Sequence, residues 1–245
     1  MRIAILALPR VQLLDVIGPA DVFAEAARQL DDPRAYRLEV VGLDDAPIKG
    51  SSGLKLLPDT TIERYRGPVD TLLVAGSPVV NTMEHDPVVE AWLQRQARQA
   101  RRVGSVCSGA FILAGTGLLD GKRVTTHWNS TERLASEYPR LAVEPDAIYV
   151  KDGKVYTSAG VTAGMDLALA MVEEDHGPEL ALKVAREPVM FMTRPGGQSQ
   201  FSAHLAAQTA ERSAIGDLQQ HVLANLRADL SVPALARRAG MSERN

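Results

Sequence analysis

The chain has 245 residues, which is enough for one large domain or for one domain with an appendage. Its hydrophobic fraction of 45% predicts a sizeable core, and its net charge of −3 excludes a basic surface over the whole chain while leaving room for a small nucleic-acid module. The single cysteine excludes an internal disulfide and is typical of the reducing cytoplasm, and we expect neither a signal peptide nor a membrane span.

Apolar runs and helix-period patterns alternate from the N-terminus to about residue 186. Runs typical of buried strands are residues 2–8, 36–42, 70–75 and 103–106, with a shorter strand at 121–126. Helical patterns are residues 20–30, 87–100, 130–138, 163–176 and 179–186, with a short helix after residue 109. Residues 51–57 predict a small hairpin arm, and Asp152-Gly153 predicts the turn of a hairpin between 147–150 and 155–158.

This alternation predicts a doubly wound α/β domain whose mostly parallel sheet is covered by helices on both faces. Ligands bind such sheets beyond the carboxyl ends of the strands. The candidate site residues that follow predicted strands are Asp15, Gly76, Ser77, Cys107 and His127. We therefore expect these residues on one rim of the sheet, with Asp15 in the first strand-to-helix connection.

Cys107 lies where the strand at 103–106 passes into a helix. Ser105 and Gly109, two positions to either side, are small enough for the sharp turn of a nucleophile elbow, here with sulfur in place of the hydroxyl. Such a turn places the thiol at the positive end of a helix, which predicts a lowered pKa for Cys107. The alternative is a small buried hydrophobic residue without a chemical role.

The character of the sequence changes from about residue 187. Residues 215–226 predict an amphipathic helix, and Ser231 is placed to cap a short helix at 232–239. Gly240 then predicts a tight turn, and Ser242 is placed at the N-cap of a further helix that the chain does not include. A helix, a glycine turn and a helix start are typical of the opening of a helix-turn-helix.

These patterns divide the chain into an α/β domain at 1–186, a linker at 187–213 and an incomplete helix-turn-helix domain at 214–245. The basic pair Arg237 and Arg238 belongs to the short helix of the last part. Two interpretations of that pair stay open, contact with DNA phosphate and a solvated helix face.

Five segments carry a resemblance. LLDVIGPADVF (13–23), SVCSGAFILAGTGLLDGKRVTTHW (105–128) and TSAGVTAGMDLAL (157–169) resemble the class I glutamine amidotransferase-like superfamily, in the branch with Pfp-type peptidases and isonitrile hydratases. With RPGGQSQF (194–201) and DLSVPALARRAGMSER (229–244), the chain resembles transcription regulators of the AraC type. The resemblance implies a flavodoxin-like sheet followed by a DNA-binding domain.

The resemblance also implies that this chain is truncated within its DNA-binding domain, because the recognition helix would begin near Ser242. We expect the parent protein to bind specific DNA through Arg237, Arg238, Ser242 and Arg244, and this chain not to bind it. An in-frame stop directly after Asn245 in the native gene would remove most of the support for a regulator.

An enzyme is the alternative hypothesis for the rim. Cys107 would then be the nucleophile and His127 its base. The amides of Gly76, Ser77 and Ser108 would bind an oxyanion.

The resemblance bears on this alternative in two ways. In amidotransferases a glutamate two residues after the histidine completes a triad, and Asn129 stands at that position here, so the orienting acid is lost. Asp15 matches the acid that isonitrile hydratases hold against the cysteine, and a carboxyl bonded to a thiol can tune its ionisation or transfer a proton.

Structural roles stay open for the same residues. His127 is also interpretable as packed beside Trp128, Asp15 as a helix cap, and Ser77 and Ser108 as turn residues. The histidines lack metal-ligand spacing, and with a single cysteine we expect no metal site and no cofactor.

We favour a transcription regulator whose α/β domain binds a small-molecule effector or senses redox state near Cys107. The state would pass through the Gly196-Gly197 region and the helix at 215–226 to the DNA-binding domain. The alternative is a hydratase or a glyoxal-modifying enzyme that uses Cys107 and Asp15. We expect a homodimer, because two-fold DNA sites favour dimeric regulators, and no membrane partner.

Overall fold

The computed structural model describes residues 1–78, 86–190, 192, 197–198, 218, 221–222, 225 and 229–242. The chain divides into two compact units, Met1–Gln198 and Ser199–Asn245. The linker predicted at 187–213 contains this boundary, and most of its second half lies outside the described residues, as does most of the helix predicted at 215–226.

The first unit is built on a seven-stranded sheet. Its strands are β1 (Arg2–Leu6), β2 (Arg37–Gly42), β5 (Thr60–Thr61), β6 (Thr71–Val74), β7 (Arg102–Val106), β10 (Tyr149–Asp152) and β11 (Val155–Ser158). They lie in the order β10-β11-β7-β6-β1-β2-β5. All neighbours are parallel except β10 and β11, which form the antiparallel hairpin that Asp152-Gly153 predicts. The predicted flavodoxin-like α/β fold with a mostly parallel sheet is confirmed.

Helices cover both faces of this sheet. They are α1 (Leu14–Gln29), α2 (Pro87–Gln99), α3 (Gly109–Gly115), α4 (Thr131–Glu137), α5 (Ala163–His176) and α6 (Pro178–Arg186). Successive side chains of β1 point to opposite faces of the sheet and pack in two hydrophobic clusters. Ile3 and Ile5 pack in one cluster with Phe23, and Ala4 and Leu6 pack in the other with Trp92. Burial of both sheet faces explains why the strands are continuous apolar runs rather than alternating ones.

The first helix begins earlier than predicted. It starts at Leu14, which puts Asp15 in its first turn rather than in the preceding connection, and leaves Pro19 inside the helix. A proline interrupts a helix by removing one N–H bond, here the one that would reach the Asp15 carbonyl. The bond from the Ile17 N–H to the Leu13 carbonyl, 2.9 Å, holds the turn before it.

The strand predicted at 121–126 is also shorter than expected. Only β8 (Arg123–Val124) forms, and it pairs with β9 (Ala142–Val143) in a separate two-stranded ladder. The Thr125 N–H makes no strand ladder bond, because it donates to the side-chain hydroxyl of Thr157 in β11, at 2.8 Å, instead of to a backbone carbonyl. His127 therefore follows a short ladder outside the central sheet.

The small hairpin arm predicted at 51–57 forms with different bounds. Its strands β3 (Ile48–Lys49) and β4 (Lys55–Leu56) are antiparallel, so the arm begins before the predicted segment. The hairpin touches the first loop, since the Arg10 N–H donates to the Lys49 carbonyl at 2.9 Å.

In the second unit, α7 (Val232–Ala239) has the predicted bounds. Gly240 follows in the left-handed conformation with φ of +66°, which glycine adopts without strain. The Met241 N–H then donates to the Ala236 carbonyl at 2.9 Å, closing a Schellman turn. Ser231 occupies the N-cap position, but its side chain makes no capping bond, so the predicted cap is wrong; its own N–H donates to the Asp229 carboxylate at 3.0 Å.

Within the described ranges, no helix combines the length and the apolar character that a membrane crossing requires.

Candidate functional site

Cys107 lies at the turn between the end of β7 and the start of α3. Its φ is +58°, a left-handed conformation that is uncommon and strained for a residue other than glycine. Gly109 makes the turn possible, because a Cβ there would lie 2.2 Å from the Val74 carbonyl oxygen. The sharp strand-to-helix turn predicted from the small residues around Cys107 is present.

The backbone at two further glycines, Gly160 and Gly76, lies directly against Cys107. A Cβ on Gly160, whose φ is +151°, would lie 2.8 Å from the Cys107 sulfur. A Cβ on Gly76 would lie 2.8 Å from both the Cys107 Cβ and the Asp15 carboxylate. The thiol and the acid therefore occupy one tight space that only glycine at these positions leaves open.

Asp15 is fully buried behind Cys107. One carboxylate oxygen accepts the Val161 N–H at 2.9 Å, and the other accepts the Gly76 N–H at 3.2 Å. Burial raises the pKa of Asp15 to about 7, although the hydrogen bonds from Val161 and Gly76 and the neighbouring Cys107 thiol act in the opposite direction. Because both N–H donors come from loops distant in sequence, Asp15 is not a simple cap of its own helix.

The pKa of Cys107 is raised to about 12, first by burial and then by the negative charge of Asp15, and the opposing bonds from Ser108 do not compensate. The prediction of a lowered pKa is wrong. A helix N-terminus contributes about 0.3–1 kcal/mol at most sites. That is less than one pKa unit, so the short helix α3 does not outweigh burial and a carboxylate.

Ser77 and Ser108 bind each other. The Ser77 N–H donates to the Ser108 hydroxyl at 3.0 Å, and that hydroxyl donates to the Ser77 carbonyl at 2.8 Å. With the Gly76 N–H on Asp15, the backbone amides of both Gly76 and Ser77 are engaged. These two amides are therefore already bonded within the protein and are not free for the predicted oxyanion role.

His127 is partly exposed, and its Nδ1 lies 2.7 Å from the Asn129 side-chain oxygen. An amide oxygen accepts a hydrogen bond, so Nδ1 is the donor in this contact, and in the neutral tautomer Nε2 is the acceptor. Asn129 orients the imidazole but supplies no negative charge to stabilise a protonated ring. Trp128 is 51% exposed, with its ring 5.5 Å from that of His127, so it does not bury the histidine in the core.

Cys107 and His127 open onto the same cleft of about 210 Å³. Its walls carry hydroxyl, amide, imidazole and apolar groups, and among the residues that the structure describes, none that lines it is Lys, Arg, Asp or Glu. They are Gln12, Ser77, Pro78, Cys107, Ser108, His127, Asn129, Ser130 and Val161. Of the predicted rim residues, Asp15 and Gly76 lie behind the thiol rather than in the cleft wall.

Sequence reasoning missed Gln12, Val161 and Thr126. Val161 has a φ of +51°, which is rare for a β-branched residue, and its N–H holds Asp15. Thr126 is fully buried and its hydroxyl donates to the Cys107 carbonyl at 2.8 Å. No local pattern marks Val161, because its backbone is set by tertiary contacts, whereas the position of Thr126 directly before His127 was a usable signal.

Two other predictions concern metals and DNA. In the described part of the chain, no group of three His, Cys, Asp or Glu side chains is placed to hold a metal ion. Arg237 and Arg238 are exposed in the last turn of α7. Ser242 follows the glycine turn, and Arg244 lies outside the described residues.

An α/β domain with a strained cysteine elbow, a buried acid and a small cleft defines the class of protein. Residues 1–174 match the DJ-1/PfpI family, and the chain belongs to that family. A solved structure of a THiJ/PfpI family protein from Pseudomonas syringae superposes with a TM-score of 0.68 at 27% identity, covering 79% of this chain and 76% of that one.

The relatives that this chain resembles include an enzyme and a transcription regulator. The isonitrile hydratase of Pseudomonas putida is 39% identical over 184 residues, covering 74% of this chain and 75% of its own. The HTH-type transcriptional regulator CdhR of Pseudomonas aeruginosa is 31% identical over 195 residues, covering 76% of this chain but only 56% of its own length. The predicted resemblance to a family that contains both regulators and isonitrile hydratases is confirmed.

Proposed function

We propose that this chain is the sensor part of a DNA-binding transcription regulator, and that its Cys107 cleft binds a small uncharged polar effector. The cleft is small, at about 210 Å³, and its described lining residues offer hydroxyl, amide and imidazole groups and include no Lys, Arg, Asp or Glu. An effector with hydrogen-bonding groups, such as an amide or a neutral amine derivative, suits these walls.

The observation that carries the proposal is the helix α7 with its left-handed Gly240 turn, in a unit separate from the DJ-1/PfpI domain. A helix closed by a glycine turn is how a helix-turn-helix begins. A cysteine enzyme of this family has no chemical use for such an element. The similarity to CdhR, whose own length extends well beyond the matched part, supports the same assignment.

The chemistry of the cleft supports binding rather than turnover. Burial and the Asp15 carboxylate raise the pKa of Cys107, so the thiol is protonated at neutral pH and is a weak nucleophile. Asn129 gives His127 an orienting bond but no counter-charge, which a general base needs once it is protonated. A redox role for Cys107 needs a thiolate as well, so we favour an effector over an oxidant.

The test is chromatin immunoprecipitation of the natively encoded protein, tagged at its own gene, in the cells that carry it. We expect site-specific occupancy upstream of genes, at two-fold related half-sites if the protein acts as a homodimer. Occupancy no higher than that of an untagged strain would contradict the proposal. A strain in which Arg237 and Arg238 are both replaced by Ala is the control for contact through α7.

The second candidate is a hydratase that adds water to the terminal carbon of an isonitrile and gives an N-substituted formamide. It is favoured by the Asp15–Cys107 pair and by the 39% identity to the Pseudomonas putida isonitrile hydratase. Asp15, with a pKa of about 7, is suited to exchange a proton at neutral pH. Formation of the formyl proton signal from an alkyl isonitrile, lost in Cys107→Ser, would establish this activity.

A further inference from the structure

Gln198 is the last residue of the first unit, and its side chain is buried there. Its amide nitrogen lies 2.8 Å from the Ala147 carbonyl and 3.1 Å from the Thr126 carbonyl. The Thr125 hydroxyl at 3.2 Å and the Pro145 carbonyl at 3.3 Å complete the surrounding acceptors. A polar side chain buried at the end of a domain and surrounded by acceptors is an anchor rather than a surface residue.

The backbone beside Gln198 is held as firmly as its side chain. The Gln198 N–H donates to the Asp146 carbonyl at 2.8 Å. Gly197 lies so close to Asp146 that a Cβ at position 197 would approach the Asp146 carbonyl oxygen to 2.3 Å. Only glycine allows this approach, so the Gly197-Gln198 dipeptide is seated in a slot between Thr126 and Ala147.

The slot adjoins the Cys107 elbow through one residue. The Thr126 carbonyl accepts from Gln198 and the Thr126 hydroxyl donates to the Cys107 carbonyl at 2.8 Å. Thr126 is fully buried, and the residue after it, His127, lines the cleft. A shift of the Cys107 elbow would therefore reach one side of the Gln198 slot through the Thr126 hydroxyl.

We propose that Gln198 is a latch that couples occupancy of the Cys107 cleft, through Thr126, to the segment that leads into the second unit. The latch is seated when Thr126 bridges Cys107 and Gln198, and it is released when a ligand displaces the Thr126 backbone. An effect of the latch on DNA binding rests on the proposed function, whereas the coupling between the cleft and Gln198 does not. Coupling of this kind requires that a ligand stabilise one of the two arrangements more than the other.

The first test measures deuterium exchange of the residue 198 backbone N–H by NMR, in the 26.4 kDa chain. Gln198→Ala removes the side-chain anchor, and we expect the exchange rate of that amide to rise about tenfold. Gln94→Ala is the matched control, because it also removes a glutamine bond to a carbonyl, that of Thr116 at 2.9 Å, at a different place. Equal exchange rates of the residue 198 backbone N–H in wild type and Gln198→Ala would show that the Gln198 side chain is not an anchor.

The second test asks whether the cleft reaches the latch. Cys107→Leu fills the cleft, and we expect exchange at residue 198 to rise at least about threefold while the β7 amide of Val103, which reports global opening, changes less. In a Thr126→Val background, which lacks only the hydroxyl bridge, Cys107→Leu should add no further increase. If Cys107→Leu does not fold, Ser130→Trp fills the same cleft from its outer wall.

Parallel increases at residue 198 and Val103, or an effect of Cys107→Leu that survives Thr126→Val, would overturn the coupling. These outcomes involve no DNA, so they are distinguishable from a failure of the regulator proposal. A latch that operates in a protein without promoter occupancy would instead point to control of access to the Cys107 cleft.

Discussion

The Cys107 thiol lies against the buried Asp15 carboxyl, at a place where a Cβ on Gly76 would lie 2.8 Å from both residues, and the two groups shift each other's pKa in opposite directions. The thiol lowers the pKa of the acid, and the negative charge of the ionised acid raises the pKa of the thiol. The carboxyl therefore ionises first as pH rises, and the sulfur keeps its proton. A protein with this pair holds a neutral thiol in its cleft at neutral pH.

Asp15 should make the free energy of unfolding depend on pH. The pKa of Asp15 is about 7 in the folded chain against 3.8 in the unfolded chain, so between these values the native state binds the extra proton. Below about pH 4, Asp15 does not reduce the free energy of unfolding. As pH rises to 7, the free energy of unfolding falls by an amount on the order of 4 kcal/mol, because the buried carboxyl must ionise. Urea unfolding at several pH values, in wild type and in Asp15→Asn, measures this loss.

At about pH 4, Asp15→Asn should be less stable than wild type, because its amide group faces the N–H donors of Gly76 or Val161. This stability advantage of wild type should shrink as pH rises from about 4 to 7, because only wild type loses stability through titration at position 15. Other carboxylates titrate alike in both proteins and cancel from the difference. A difference that is constant with pH would mean that the pKa of Asp15 is not raised.

The reactivity of Cys107 should increase when the Asp15 charge is removed. Burial is the largest cause of the raised pKa of Cys107, and Asp15→Asn does not change it. The variant removes the second cause, the negative charge of the carboxylate, so the pKa of the thiol should fall. A fall of one pKa unit gives about a tenfold faster reaction with iodoacetamide at pH about 8. Asp21→Asn, an exposed acid on the same helix, is the control and should react like wild type. Slower alkylation of Asp15→Asn would be incompatible with the electrostatic cause.

Gly160→Ala should be markedly destabilising. The new methyl group would lie 2.8 Å from the Cys107 sulfur, and the φ of +151° is itself strained for alanine. We expect a loss of about 2–4 kcal/mol from overpacking and backbone strain together. Gly121→Ala is the matched control, since its φ is also positive at +71° but nothing lies within 4 Å of the position that its methyl group would take. Equal losses in thermal or urea unfolding would show that the elbow is not crowded.

A buried ion pair holds the opposite end of the sheet. The Arg102 guanidinium lies 2.6 Å from Asp175, and both side chains are less than 5% exposed. Asp175→Asn leaves a buried arginine without its main counter-charge, and we expect a loss of about 3–5 kcal/mol in the free energy of unfolding. Glu179→Gln, which removes an exposed pair with Lys183 on α6, should cost about 0.5 kcal/mol or less. Similar losses of unfolding free energy in the two variants would mean that the Arg102–Asp175 pair is not buried.

The sequence patterns sufficed for the architecture because burial on both sheet faces leaves continuous apolar runs such as those at β1 and β7. They sufficed for the Cys107 turn because a chain that doubles back at a thiol requires small residues on both sides of it. They also gave the bounds of α7, since Gly240 and the apolar spacing mark its end without help from tertiary structure.

Properties that depend on contacts between residues far apart in the sequence could not be predicted from it. The pKa of Cys107 depends on an acid in α1 and on burial by several loops, and no local pattern reports either. The helix α1 runs through Pro19, which local rules place at a helix start. The slot that seats Gln198 is made by Thr126 and Ala147, which only the folded chain brings together.

The decisive measurement is the thiolate titration of Cys107, followed by ultraviolet absorbance against Cys107→Ser. The single cysteine makes the difference signal specific to this residue. If Asp15 holds a neutral thiol in a cleft that binds its ligand without attacking it, thiolate absorbance develops only above the ordinary thiol value of 9.0. A transition near pH 6 or below would mean a thiolate nucleophile at neutral pH, and would favour the hydratase over the sensor.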